Sequence, residues 1–128
     1  MISCGTDILE TERMKNAVKK WDKSFLKRIF TEREIEYSMG KRFYFEHLAA
    51  RFAAKEAVFK AFGEGFTSAN FKNIEIINDH NGRPSVLLTG AMKDLSQNQK
   101  VESIAISMSH TRNYAQAVAI ITRKSEEN

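Results

Sequence analysis

The sequence predicts an α+β fold: a mostly antiparallel sheet with a long helix packed on it. Three observations predict it. The stretch from about Arg42 to Phe62 is rich in Ala and free of Pro, so it reads as one long helix. Asn81-Gly82, with Pro84 just after it, is a strong hairpin signal between two apolar runs. The order strand, helices, long helix, hairpin, helix, hairpin then places the helices on one face of an antiparallel sheet. At 128 residues the chain is expected to form a single domain, 1–128.

The first strand comes from alternation. Ile2, Cys4, Thr6 and Ile8 share one face, and Ser3, Gly5, Asp7 and Leu9 the other. Cys4 reads as a small core filler. Gly5 leaves open space beside Asp7. Glu10 to about Lys20 predicts a helix with Arg13, Lys15, Lys19 and Lys20 on it; Lys23, Lys27 and Arg28 continue the basic character, and Trp21, Phe25, Leu26 and Ile29 supply an apolar side. Thr31-Glu32-Arg33-Glu34 is a capping-box pattern, opening a helix to about Ser38, with a break at Gly40.

In the long helix, Phe45, Leu48, Phe52, Phe59 and Phe62 fall on one side at 100° per residue, a core-facing stripe. Ala49, Ala53, Glu56 and Lys60 form a second side, whose small residues let another backbone or a ligand come close. Gly63 suits the left-handed position that ends a helix. Gly63-Glu64-Gly65 and Thr67-Ser68 read as a loop. Phe71–Asn78 and Ser85–Thr89 are expected strands, Ala91 to about Asn98 a shorter helix. Val101–Ser109 and Tyr114–Thr122 are a second pair of strands turning at Thr111-Arg112-Asn113, and Ser125–Asn128 a frayed tail.

Composition excludes several classes. No run of about 18 apolar residues exists, which argues against a transmembrane helix. The first ten residues lack the basic and apolar regions of a signal peptide. Cys4 is the single cysteine and cannot close an intrachain disulfide, which fits a reducing cytoplasm. A net charge of +4 points to an anionic partner: nucleic acid, a phosphorylated cofactor or an acidic protein.

The chemistry concentrates in a few places. Glu56 and Lys60 are four apart, which fits either a solvated ion pair or part of an anion site. Lys55 falls in the aromatic stripe, where a charge must be paired or snorkel, and Arg51 lies one turn earlier. These cations suit a phosphate ester. Asp7 is either a cap or strand-end residue or, if the long helix packs on the first strand, the partner of Glu56. Two such carboxylates are hard oxygen ligands suited to Mg²⁺, whereas one Cys and three scattered His give no zinc spacing. The backbone N–H groups around Gly63 and Gly65 can meet phosphate oxygens, although a plain turn fits as well. Ser109-His110-Thr111 is a polar turn or a phosphate contact, and His110 is also a candidate base. Neither a P-loop nor a GxGxxG motif is present.

Taken with their order, Gly5-Thr6-Asp7-Ile8, Arg13, Phe30-Thr31-x-x-Glu34, Arg51-Phe52-Ala53-Ala54-Lys55-Glu56-Ala57, Lys60, Gly63-x-Gly65, Asn81-Gly82-Arg83-Pro84 and Ser109-His110-Thr111 resemble the small bacterial 4′-phosphopantetheinyl transferases, from about Ile2 to Ile121. The resemblance implies transfer of the phosphopantetheine arm of coenzyme A to a serine of apo acyl carrier protein, releasing adenosine 3′,5′-bisphosphate, in support of fatty acid biosynthesis. It implies Mg²⁺ on Asp7 and Glu56, with Glu56 also helping to deprotonate the serine. Lys60 would neutralise phosphate charge and assist the leaving group. Arg51, His110 and Thr111 would contact the 3′-phosphate side of coenzyme A, with Lys60, Gly63, Gly65 and Pro84 as further contacts. Arg13 would meet acidic residues of the carrier protein. It also implies a homotrimer with sites at the seams between chains. Two departures are the unfavourable charge of Glu64, expected to point to solvent, and Ser3. The competing expectation is a nucleic-acid-binding module that uses the basic face; against it, the aromatic residues lie on apolar stripes and no RNP or helix-turn-helix pattern occurs.

Overall fold

A computed structural model describes residues 1–63 and 68–125, without the side chains of residues 21–23, 68 and 69. Glu64, Gly65, Thr67 and residues 126–128 lie outside the described residues, as do the side chains of Trp21 and Lys23. The chain runs β1 (Ile2–Glu10), α1 (Thr11–Ile29), α2 (Glu32–Met39), α3 (Tyr44–Phe62), a 3₁₀ turn (Ser68–Asn73), β2 (Ile74–Asn78), β3 (Pro84–Leu88), α4 (Gly90–Asn98), β4 (Val101–His110) and β5 (Tyr114–Arg123). All strand pairs are antiparallel. One sheet has the order β1-β5-β4, and β2-β3 forms a separate hairpin.

The α+β expectation holds, and several boundaries move. The first helix continues to Ile29, so the basic segment beyond Lys20 is part of it. The expected strand from Phe71 begins only at Ile74, because Ser68–Asn73 winds into a 3₁₀ turn that buries Phe71. Thr31 caps α2 as read: its backbone N–H donates to Glu34 Oε1 at 2.9 Å, and its hydroxyl accepts from the Glu34 N–H. Gly63 ends α3 at φ 80, in the left-handed region.

The apolar stripe of α3 is broader than its aromatic residues alone indicate. Leu48, Phe59 and Phe62 are buried, while Phe45 and Phe52 are half-buried. The Ala side is buried as well: Ala49, Ala53, Ala57 and Ala61 all lie in the core. α3 is therefore covered on several sides, chiefly by β1 and β5. From the sheet, Ala115, Ala117, Ala119 and Ile121 of β5 face it. Small residues on both surfaces let helix and strand backbones approach closely.

Two expectations about β1 are corrected. Gly5 does not leave open space. A Cβ there would lie 2.1 Å from the Ala57 carbonyl oxygen and 2.7 Å from the Ala61 nitrogen, so α3 fills the gap. Cys4 is not a core filler either; the alternation turns it to the outer, exposed face of the sheet.

Lys55 is also corrected: it is no anchor for an external anion. Its ammonium is fully buried and donates to the carbonyls of Ile29 (2.9 Å), Phe71 (2.9 Å) and Ile74 (2.7 Å). It pairs with Glu34 Oε1 at 2.7 Å. Glu34 in turn accepts from the Ile76 N–H at 3.0 Å. One cation thus ties α3 to the end of α1, to α2, to the 3₁₀ turn and to β2. Burial pushes its pKa down, opposed by Glu34. Breaking one side of a buried pair costs about 3–5 kcal/mol, because the other charge stays buried. Lys55→Met is expected to lose stability of that order in urea unfolding, and adding Glu34→Gln should recover part of it.

Candidate active site

The close packing of β1 on α3 assembles the first site. Asp7, on the inward row of β1, meets the exposed end of the Ala face of α3. Lys60 Nζ donates to Asp7 Oδ1 at 3.1 Å and to the Thr6 carbonyl at 3.0 Å. Glu56, half-buried one turn earlier, lies close enough to Asp7 for the two carboxyls to act on each other. Asp7 is therefore neither a cap nor a strand-end residue, and the nearest acid to Lys60 is Asp7. A recess of about 350 Å³ lined by Thr6, Asp7, Ile8, Lys60 and Gln116 opens beside them.

Electrostatics mark Glu56. Burial first, then the adjoining Asp7 carboxyl and its negative charge, push the Glu56 carboxyl up to about 7, against the pull of Lys60 and Arg13. Near neutral pH the Glu56 carboxyl therefore still carries its proton part of the time, at a mouth flanked by two cations. Arg13 is exposed on α1 yet close enough to Glu56 to act on it, a placement not read from the sequence. Among the described residues no three His, Cys, Asp or Glu side chains converge. A cation held here would take two carboxylates and fill its remaining positions with water or phosphate oxygens.

A second recess, of about 190 Å³, brings together Arg51, Pro84 and His110. Tyr37 of α2, His47 of α3, Asn78 and Gly82 of the hairpin and Met108 of β4 complete its wall. Arg51 is 2% exposed; its guanidinium lies 4.1 Å from the centre of the Tyr37 ring and donates to Asn78 Oδ1. Its Nε has no hydrogen-bond partner among the described residues. His110 Nδ1 lies 2.9 Å from Glu46 Oε1. Thr111 Oγ1 accepts from the N–H groups of Asn113 and Tyr114, which orients the β4–β5 turn. Tyr37, Glu46, His47 and Asn78 were not singled out in the sequence. The i, i+4 spacing of His47 and Arg51 was the available signal, but it specifies no ligand. Gly63 stands exposed at the end of α3, and Gly65 lies outside the described residues.

Residues 3–119 match the model of the 4′-phosphopantetheinyl transferase superfamily. A holo-[acyl-carrier-protein] synthase of Caldicellulosiruptor saccharolyticus is 44% identical over 124 residues, spanning 97% of this chain and 98% of that protein. The crystal structure of the holo-[acyl-carrier-protein] synthase from Neisseria meningitidis superposes with a TM-score of 0.88 at 32% identity, over 96% of this chain and all of that one. The Helicobacter pylori enzyme, solved in complex with coenzyme A, gives 0.82 at 29% identity, over 95% and 100% of the two chains.

Two outcomes follow from this geometry. Gly5→Ala sets a Cβ against the Ala57 carbonyl, where neither backbone can yield; it should cost at least about 3 kcal/mol in urea unfolding, or prevent soluble folding. The folded chain holds the Glu56 proton up to about pH 7, whereas an unfolded carboxyl releases it near 4.5. Without metal, that contribution to stability is full below the unfolded value and is lost as pH rises through about 7. Glu56→Gln should flatten this part of the stability-against-pH curve, read by thermal melts from pH 4 to 8.

Proposed function

Because the chain belongs to the 4′-phosphopantetheinyl transferase superfamily, we propose that it transfers the 4′-phosphopantetheine arm of coenzyme A to a serine hydroxyl of apo acyl carrier protein. The observation that carries this reading is the convergence of Glu56 and Lys60 on Asp7 at the edge of one recess, together with a second recess that gathers Arg51, Pro84 and His110. The serine oxygen forms a bond to the phosphorus that bears the pantetheine. The bond from that phosphorus to the bridging oxygen breaks, and adenosine 3′,5′-bisphosphate leaves. Glu56, once deprotonated, is the base that takes the serine proton. Lys60 faces the phosphates and offsets the charge that builds on the leaving group. Arg51 and His110 hold the 3′-phosphate, Thr111 offers its hydroxyl proton to the same group, and Pro84, Gly63 and Gly65 border the nucleotide.

The donor set fits Mg²⁺. Asp7 and Glu56 are hard oxygen ligands, and a small divalent cation would take the place of the Glu56 proton. Bound there, Mg²⁺ supplies charge neutralisation for the pyrophosphate. Arg13 and the basic residues of α1 form the surface that meets the acidic carrier, and this use replaces the nucleic-acid alternative.

A homotrimer belongs to the same reading. The outer face of the β1-β5-β4 sheet carries exposed Ile2, Ile8, Tyr114 and Ile120, a patch that self-association would bury. The acidic recess opens beside Ile8 and Gln116 on that face, so a neighbouring chain could complete the site. No helix among the described residues is long and apolar enough to cross a membrane. We place the reaction in the cytoplasm, which the lone thiol of Cys4 suits.

Intact-mass analysis of apo carrier protein incubated with coenzyme A and Mg²⁺ should show a gain of one phosphopantetheine arm, abolished by EDTA. Glu56→Ala should lower turnover by roughly 10²-fold or more; wild-type turnover in that variant contradicts the assignment. Because Mg²⁺ must displace the Glu56 proton, its affinity should rise with pH to about 7 and level off above it.

A further inference from the structure

His47 faces the same recess as Arg51 and His110, and nothing in the reaction described above uses it. Its ring meets that of His110 edge-on, with centroids 4.9 Å apart, and that of Tyr37 at 6.2 Å. Lys41 and Arg51 both lie over the Tyr37 ring, at 4.7 and 4.1 Å. Among the described residues lining the recess, none is a carboxylate. Among the described residues, the Glu46 side chain hydrogen-bonds the His110 ring. The buried Arg51 Nε has no partner among the described residues. This is an excess of positive donors around a small volume, an arrangement suited to a dianion such as a phosphate monoester.

We propose that His47 is a specificity-determining residue of this recess: as an imidazolium it donates to the 3′-phosphate held by Arg51 and strengthens the preference for a 3′-phosphorylated donor as pH falls. The proposal rests on the reading of the recess as the 3′-phosphate site. In the free chain, burial first, then the charges of His110, Arg51 and Lys41, hold His47 below its ordinary value, while Glu46 pulls it back up. Those groups, with Tyr37, are the charged and titratable side chains that bear on it from α2, α3, β4 and the segment before α3. A phosphate dianion entering the recess reverses the local field, so His47 takes up a proton as the ligand binds. By linkage, binding then tightens as pH falls.

The test compares coenzyme A with 3′-dephospho-coenzyme A, titrated calorimetrically into the full-length wild type, His47→Phe and His110→Phe at pH 6 and pH 8. The readout is the ratio of the two dissociation constants. In the wild type the preference for coenzyme A should grow roughly threefold or more from pH 8 to pH 6 relative to His47→Phe, the size expected for one newly charged hydrogen bond. The phosphate's own ionisation is common to every variant and cancels in that comparison. Repeating the titration in buffers of different ionisation enthalpy should show proton uptake with coenzyme A in the wild type and less of it in His47→Phe. A wild-type ratio near one at both pH values would overturn the 3′-phosphate reading and this proposal with it. A clear preference whose pH dependence persists in His47→Phe, or disappears only in His110→Phe, would overturn the role of His47 alone. Circular dichroism spectra matching the wild type establish that each variant is folded.

Discussion

Lys55 makes a set of bonds that few surface cations could make. Its ammonium reaches three backbone carbonyls, from the end of α1, the 3₁₀ turn and the start of β2, as well as the Glu34 carboxylate. Each of those carbonyls would otherwise be a buried acceptor needing a partner. Glu34 closes the N-terminus of α2 and accepts from the Ile76 N–H, so the capping box continues into this network. Glu75 extends it to the surface, taking a bond from Thr31 at 2.5 Å and pairing with Arg33 at 2.5 Å. An apolar side chain of the same size could fill the space but could not satisfy so many polar atoms at once. The arrangement fixes the rotation of α3 about its axis, and so fixes which way Glu56 and Lys60 point.

The second constraint is the absence of a side chain at Gly5. It brings β1 against the α3 backbone, and Asp7, two residues further on the same row, reaches the Glu56 and Lys60 side chains. One contact gives proximity and the other orientation. The acidic pair is thereby held at the edge of the core, dry enough for Glu56 to keep its proton to about 7 and open enough for a ligand to reach it. The same helix presents His47 and Arg51 to the other recess from its earlier turns, so one rigid element serves both.

Much of this was legible in the residues. Periodicity located α3, the capping box opened α2, and Asn81-Gly82 turned the hairpin with Gly82 at φ 84. The ordered motifs carried the family. Legibility failed where a side chain's role depends on what packs over it. Gly5 looked like open space beside Asp7 because nothing local shows that a helix backbone occupies it. Cys4 looked internal because alternation separates two faces without saying which is covered. Lys55 looked like one more cation for an anion, since its acceptors are carbonyls distant in sequence. Phe71 looked like a strand residue because a short 3₁₀ turn has no periodicity of its own. Among the site residues, Arg51, Glu56 and Lys60 on α3 were visible through their spacing, whereas Glu46 and His47 on the same helix passed as ordinary polar positions, and Tyr37 and Asn78 are contributed by other elements and had no local signal.

Adjacent positions on α3 have incompatible destinations, Lys55 into the protein interior and Glu56 toward the ligand. Consecutive helical residues are separated by about 100° of arc, so adding or deleting one residue between Arg51 and Lys60 would swing every later group by that angle. The interior lysine or the acid could then be correctly aimed, but not both. Length variation should therefore be confined to places such as the hairpin tip around residues 79–83, which is exposed. In distant relatives of this chain the run from Arg51 to Lys60 should therefore stand as a gapless block.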